Sequence, residues 1–135
     1  MDTKNMEDMK LDKINVHPVV TCSEDDSIEM IASKLREKQE RRIFVVDAHK
    51  KLLGIITTTD LVYKVLSKCS EAERLKAKDI MIKNVKALDI NEDLEKALEI
   101  MNELQSFTCP VTENGHIVGI ISYHELVNHV FQTVK

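Results

Sequence analysis

The sequence predicts an α+β fold: two copies of one β-α-β-β-α unit, related by a pseudo-twofold and packed through their sheets. Two observations carry this. Leu53-Gly54-Ile55-Ile56-Thr57-Thr58-Thr59-Asp60-Leu61-Val62 recurs as Val118-Gly119-Ile120-Ile121-Ser122-Tyr123-His124-Glu125-Leu126-Val127, and an internal repeat outranks local patterning as a guide to architecture. Upstream of each copy, apolar residues at helical spacing precede two short β-rich runs. One unit alone is too short to bury both faces of a three-stranded sheet with its two helices, so the copies should pack on each other.

Each unit opens on a short extended piece, Val19 to Cys22 or Val85 to Leu88. Asp25-Asp26-Ser27-Ile28-Glu29 and Asn91-Glu92-Asp93-Leu94-Glu95 are matching acidic helix starts. They lead into Ile28, Ile31, Ala32 and Leu35 in one copy and Leu94, Ala97, Leu98 and Met101 in the other, each set spaced for one helix face. Two strand pairs follow, Ile43 to Val46 with Leu52 to Ile56, and Cys109 to Val111 with Ile117 to Ile121. Phe44-Val45-Val46 lines up with Cys109-Pro110-Val111, and a one-residue slip falls at Asp47 to Lys51 against Thr112 to His116. Glu113-Asn114-Gly115 is a turn sequence, where such a change is tolerated. A closing helix then carries Leu61, Val62, Val65 and Leu66, or Leu126, Val127, Val130 and Phe131. This apolar pattern is wider than one face, which points to a homodimer formed through helix faces. The domain reading is a flexible tail over 1–10, a first repeat over 11–68, an exposed linker over 69–79 and a second repeat over 80–135.

Composition narrows the function. At 43% hydrophobic and 31% charged, with only 3 Gly and 2 Pro in 135 residues, the chain reads as a water-soluble globular protein. A net charge of −4 gives no field for a nucleic-acid backbone or an anionic membrane. Apolar runs fall far short of the about 20 residues of a membrane span, and the polar start is not a signal peptide, so the cytoplasm is the expected compartment. Cys22, Cys69 and Cys109 form no CxxC pair and read as reduced, mostly packed thiols. No catalytic set and no metal site is visible: His124 and His129 are five residues apart, which puts them on different helix faces. His17, His49 and His116 read as isolated surface histidines.

The closing G-h-h-[ST]-x-x-[DE] phrases, Gly54 to Asp60 and Gly119 to Glu125, together with the opening phrases Lys78-Asp79-Ile80-Met81 and the looser Asp12-Lys13-Ile14-Asn15, resemble those of the cystathionine-β-synthase (CBS) domain. That domain occurs in tandem as a Bateman module. The resemblance covers nearly the whole chain and implies a regulatory, non-enzymatic module. It implies an adenosyl ligand, AMP, ADP, ATP or S-adenosylmethionine, in a cleft between the repeats, with an unknown effector protein as partner and no required cofactor. The alternative is a ligand-free CBS scaffold that assembles a partner protein.

For the site, the Thr57 hydroxyl and the first free amides of the following helix mark an anion site, while [ST]-x-x-[DE] is equally a capping box that needs no ligand. The resemblance assigns Asp60 to ribose hydroxyls and Thr57 to a phosphate or ribose oxygen. Ser122 and Glu125 are their counterparts, with Glu125 the better capping residue. The resemblance gives phosphates to Arg41 and Arg42 at a strand start, where a planar fork suits a bidentate contact. Phe107 and Thr108 stand at those places in the second copy, so the two clefts should be unequal. Val20, Ile56, Ile82, Ala87 and Ile121 are the candidates for adenine, and Lys83 and Lys86 could add charge nearby.

Overall fold

The computed structural model describes residues 16–133, with side chains except at 69, 70, 132 and 133. The opening phrase over 12–15 therefore lies outside the described residues. The chain divides into two compact units, Val19–Val85, and Lys86 onward together with the residues up to Pro18. Each is α+β. Among the described residues no helix is long and apolar enough to cross a membrane.

In the first unit β1 (Thr21–Ser23), β2 (Arg42–Val46), β3 (Leu52–Thr57) and β4 (Ile82–Lys83) form one sheet in that order. β1 runs parallel to β2, and the other neighbours are antiparallel. α1 (Ile28–Lys38) is capped at its start by Ser27, whose hydroxyl accepts from the Met30 amide, and ends on Gln39 in the left-handed region. Ile31 and Leu35 of α1 are buried with Cys22, Ile43, Val45 and Ile56, while Ala32 faces solvent. α2 (Thr58–Asp60) continues as a π-helical turn, Leu61–Val65.

The second unit repeats this plan with β5 (Leu88–Asp89), α4 (Leu94–Leu104), β6 (Thr108–Glu113), β7 (His116–Ser122) and α5 (Tyr123–Thr133). Asp93 caps α4 as Ser27 caps α1, and Gln105 ends it as Gln39 does. The α4 face buries Leu94, Ala97, Ile100 and Met101 against Leu88, Cys109, Val111, Ile121 and Leu126, with Leu98 at its margin.

Register corrects the alignment expected for the hairpins. Ile43 and Val45 pair with Ile56 and Gly54, whereas Cys109 and Val111 pair with Ile121 and Gly119. Phe44 therefore corresponds to Pro110, not Cys109. Side chains alternate faces along a strand, so a one-residue shift would turn Cys109 and Val111 onto the opposite face, away from the core they share with Ile121 and Leu126. The length difference does sit in the turn. Asn114 and Gly115 have φ of 54° and 83°, a two-residue turn that favours Asn-Gly, against a longer loop over 47–51 held by Asp47 accepting from the amides of His49 and Lys51. Pro110 also shortens the sheet. The Phe44 amide donates to Val20 O at 2.9 Å, and a proline in that place has no N–H, so β5 starts one pair later than β1.

The segment expected as an exposed linker is docked. After a 3-10 turn over Cys69–Arg74, α3 (Ala77–Ile80) buries Ala77 and Ile80 in the first core. The amides of Ala77 and Lys78 donate to Asp26 O and Glu24 O, both at 2.9 Å, and Lys78 pairs with Asp25. Leu75, Ala77 and Ile80 supply apolar contact that composition alone conceals beneath the surrounding charge.

A separate segment lies across the closing strand inside each unit. Met81 and Ile82 cross β3 at Gly54, and Val16 and His17 cross β7 at Gly119. A Cβ on Gly119 would stand 2.3 Å from His17 O and 2.4 Å from Val16 Cγ1; one on Gly54 would stand 2.7 Å from Met81 Sδ and 2.9 Å from Ile82 O. Backbone cannot yield as a methionine side chain can. Gly119→Ala should therefore destabilise by at least about 3 kcal/mol and Gly54→Ala by about 1–3 kcal/mol, read from urea unfolding midpoints at unchanged slope.

Cys22 and Cys109 are free and buried, and burial raises their thiols from an ordinary 9.0 to about 11 and about 12. The Asp26 charge adds to the first effect and Lys34 opposes it. Cys69 lies outside the described side chains. Above pH 9 the unfolded chain loses thiol protons that the folded chain keeps, so this stabilisation is complete below pH 9 and is lost as pH rises toward 11 and 12. Melting temperature measured from pH 8 to 11 should fall less steeply in a Cys22→Ala, Cys109→Ala variant than in the wild type.

Candidate functional site

The candidate residues gather where each closing strand becomes a helix. Thr57 ends β3 in extended backbone and caps α2: its hydroxyl accepts from the Asp60 amide at 3.1 Å. Asp60 Oδ2 accepts in return from the Thr57 amide at 2.9 Å and from its hydroxyl at 3.0 Å. This is a complete capping box. The Thr57 hydroxyl proton is thus directed at Asp60 and not outward, as the ligand role had it. Asp60 keeps a second oxygen, Oδ1, which faces Lys64 Nζ at 3.5 Å. Lys64 also donates to Ile80 O at 2.9 Å, tying the closing helix to α3.

Arg41 and Arg42 come to the same end of the sheet. Arg42 lies directly across from Thr57 in the strand register, and Arg41 O accepts from the Thr58 amide at 2.9 Å. Cross-strand neighbours share a sheet face, so the half-buried Arg42 stands beside Thr57, while the exposed Arg41 meets this end of the sheet through its backbone carbonyl. In the second unit Thr108 faces Ser122 and the Tyr123 amide donates to Phe107 O at 2.7 Å, which confirms Phe107 and Thr108 as the counterparts of the arginines. Here an exposed Phe107 meets Tyr123 edge to face, with ring centroids 6.1 Å apart.

The second cap also differs. Ser122 Oγ accepts from the Glu125 amide at 3.2 Å, and the Glu125 carboxylate is bonded to His17 Nε2. The expectation of a stronger capping box at Glu125 is thus corrected: the longer side chain reaches an imidazole instead. His17 was read as an isolated surface residue; the signal lay in its register, since it stands in its sheet where Ile82 stands in the other. Lys64 was also missed, although its i, i+4 spacing from Asp60 is legible in the sequence.

The adenine candidates divide by burial. Ile56 and Ile121 are fully buried in their cores and offer no side-chain surface to a ligand, because their strand positions point inward. Val20 and Ala87 are half-buried and Ile82 is 47% exposed. Lys83 is exposed on β4, and Lys86 pairs with Glu103 within the second unit. His124 lies 3.2 Å from Asn128.

The CBS domain family matches residues 11–67 and 77–132. The chain belongs to the CBS-domain family. CBS domains are regulatory modules that often bind nucleotides. A solved CBS-domain containing protein from Agrobacterium tumefaciens is 33% identical, with TM-score 0.66 over 83% of this chain and 84% of that one. The cytosolic domain of the Mg2+ channel MgtE in complex with ATP shares the fold, at 22% identity and TM-score 0.69 over 82% of this chain and 44% of that one. Homoserine O-acetyltransferase of Methanococcus vannielii is 34% identical over 82% of this chain, and the chain spans only 22% of that protein's length.

Proposed function

We propose that this CBS pair is a non-catalytic, cytoplasmic regulatory module that takes AMP, ADP, ATP or S-adenosylmethionine and passes that state to an effector protein. The cluster of Arg41, Arg42, Thr57 and Asp60 at one sheet end carries the reading. Asp60 Oδ1 is outside the capping box and is the acceptor for a ribose hydroxyl, the arginines answer phosphate charge, and Val20 and Ile82 keep apolar surface for a base. The ATP complex of MgtE supports the ligand class. Ser122 and Glu125 serve a weaker second site, or none. A second reading, the ligand-free scaffold, is favoured by one observation: Thr57 and Asp60 satisfy each other without any ligand.

A thermal-shift panel of the four ligands separates the two. Ligand at about 100 times its dissociation constant adds about 2.7 kcal/mol, several degrees in melting temperature for a protein of this size. Flat curves at millimolar ligand would favour the scaffold. Asp60→Asn, which keeps an oxygen for the Thr57 amide, should weaken the tight binding event by about 1.5–3 kcal/mol in calorimetry. Glu125→Gln should cost less, and equal losses would contradict an asymmetric pair.

The closing helices support a homodimer. Val62, Leu66 and Phe131 are 52%, 66% and 62% exposed, and Leu94, Leu98, Leu126, Val127 and Val130 line an apolar groove between α4 and α5. Sedimentation equilibrium at micromolar concentration should give twice the chain mass; a single species of monomer mass would refute the dimer.

A further inference from the structure

We infer that His17 closes the second repeat to ligand by holding the Glu125 carboxylate, so that nucleotide binds once per chain, at the first repeat. This rests on the proposed nucleotide reading and deepens it. The two caps start alike. Thr57 and Ser122 each end a strand and accept from the amide three residues on, which places Asp60 and Glu125 at matching points of the first helical turn. They differ in what the crossing segment sets beside the closing strand. In the first unit that residue is Ile82, opposite Ile55; in the second it is His17, opposite Ile120. Isoleucine has nothing to donate, and the Asp60 carboxylate turns back to the Thr57 amide and hydroxyl. Histidine offers an N–H, and Glu125, one methylene longer, reaches it.

The latch is held firmly from the backbone side. The His17 amide donates to Ile120 O at 2.8 Å and its carbonyl accepts from the Ile120 amide at 2.9 Å. Gly119 lets this backbone approach where any Cβ would collide with it. The imidazole then has only its own two side-chain torsions left to lose, so the charge-assisted bond forms at small entropic cost. A ribose that sought Glu125 would have to displace a donor already in place. It would do so without phosphate partners, since Phe107 and Thr108 occupy the places of Arg41 and Arg42.

Calorimetry on the full chain with ATP, AMP, ADP and S-adenosylmethionine, titrated separately, tests this. Wild type should bind one ligand per chain. His17→Ile, which installs the residue the first unit uses, should add a second event that wild type lacks, tightened by up to about fivefold, the most that a pair with a half-exposed imidazole is worth. His17→Ala should do the same if isoleucine packs badly, and Glu125→Ala in either background should remove the gain. Two ligands per wild-type chain, or one in every His17 variant, would overturn the inference alone. Nitrogen NMR of the His17 ring reads the latch without nucleotide: Glu125→Ala should shift the Nε2 signal and speed amide exchange at Ile120, and unchanged signals would also overturn it. If the latch signal is present and no variant binds any of the four ligands, the nucleotide reading falls and this inference with it.

Discussion

The close crossing of backbone over Gly54 and Gly119 is the constraint on which the rest of each unit depends. Where the closing strand carries no side chain, a separate segment lies flat across it and forms the last rung of the sheet. This explains why two phrases far apart in sequence belong together. The glycine of one makes room for the apolar residue of the other, Met81 over Gly54 and Val16 over Gly119. It also explains why the compact units do not coincide with the sequence repeats. Ile82 and Lys83, directly after the phrase that opens the second repeat, complete the sheet of the first unit, and His17 bridges to that of the second.

The crossing segments set the chemistry of the caps as well as the edge of each sheet. Asp60 and Glu125 occupy one position of one motif, yet one carboxylate serves its own helix start and the other serves a histidine. The difference arises outside the motif, at Ile82 and His17. Both bonds have a carboxylate acceptor, so the partner is set by reach: the longer Glu125 side chain meets His17, and the shorter Asp60 turns back to its own cap. Lys64 acts similarly in the first unit, facing Asp60 while bonded to the carbonyl at the end of α3.

The docked segment over 75–80 shows why composition misleads at short range. Lys76, Lys78 and Asp79 are exposed, while Leu75 packs at the margin of the core and Ala77 and Ile80 are buried. Those two small anchors, with two backbone bonds to Glu24 and Asp26, hold the helix to the first core. Lys78 is kept protonated to higher pH by its bond to Asp25, an exposed pair that adds little to stability.

The sequence by itself determined the α+β class, the doubled unit, the helix starts over 25–29 and 91–95 and the turn at Asn114-Gly115, because these follow from spacing and from residues that act on near neighbours. It also singled out Thr57, Asp60, Arg41 and Arg42 as candidates, but not which cleft the arginines serve. Only the tertiary structure decided which carboxylate is engaged by what, that Ile56 and Ile121 face inward, and that Phe44 matches Pro110. Strand register and the choice of hydrogen-bond partner depend on residues distant in the chain. No local pattern encodes that His17 will lie across Gly119 and meet Glu125, since the contact exists only once the sheet has formed.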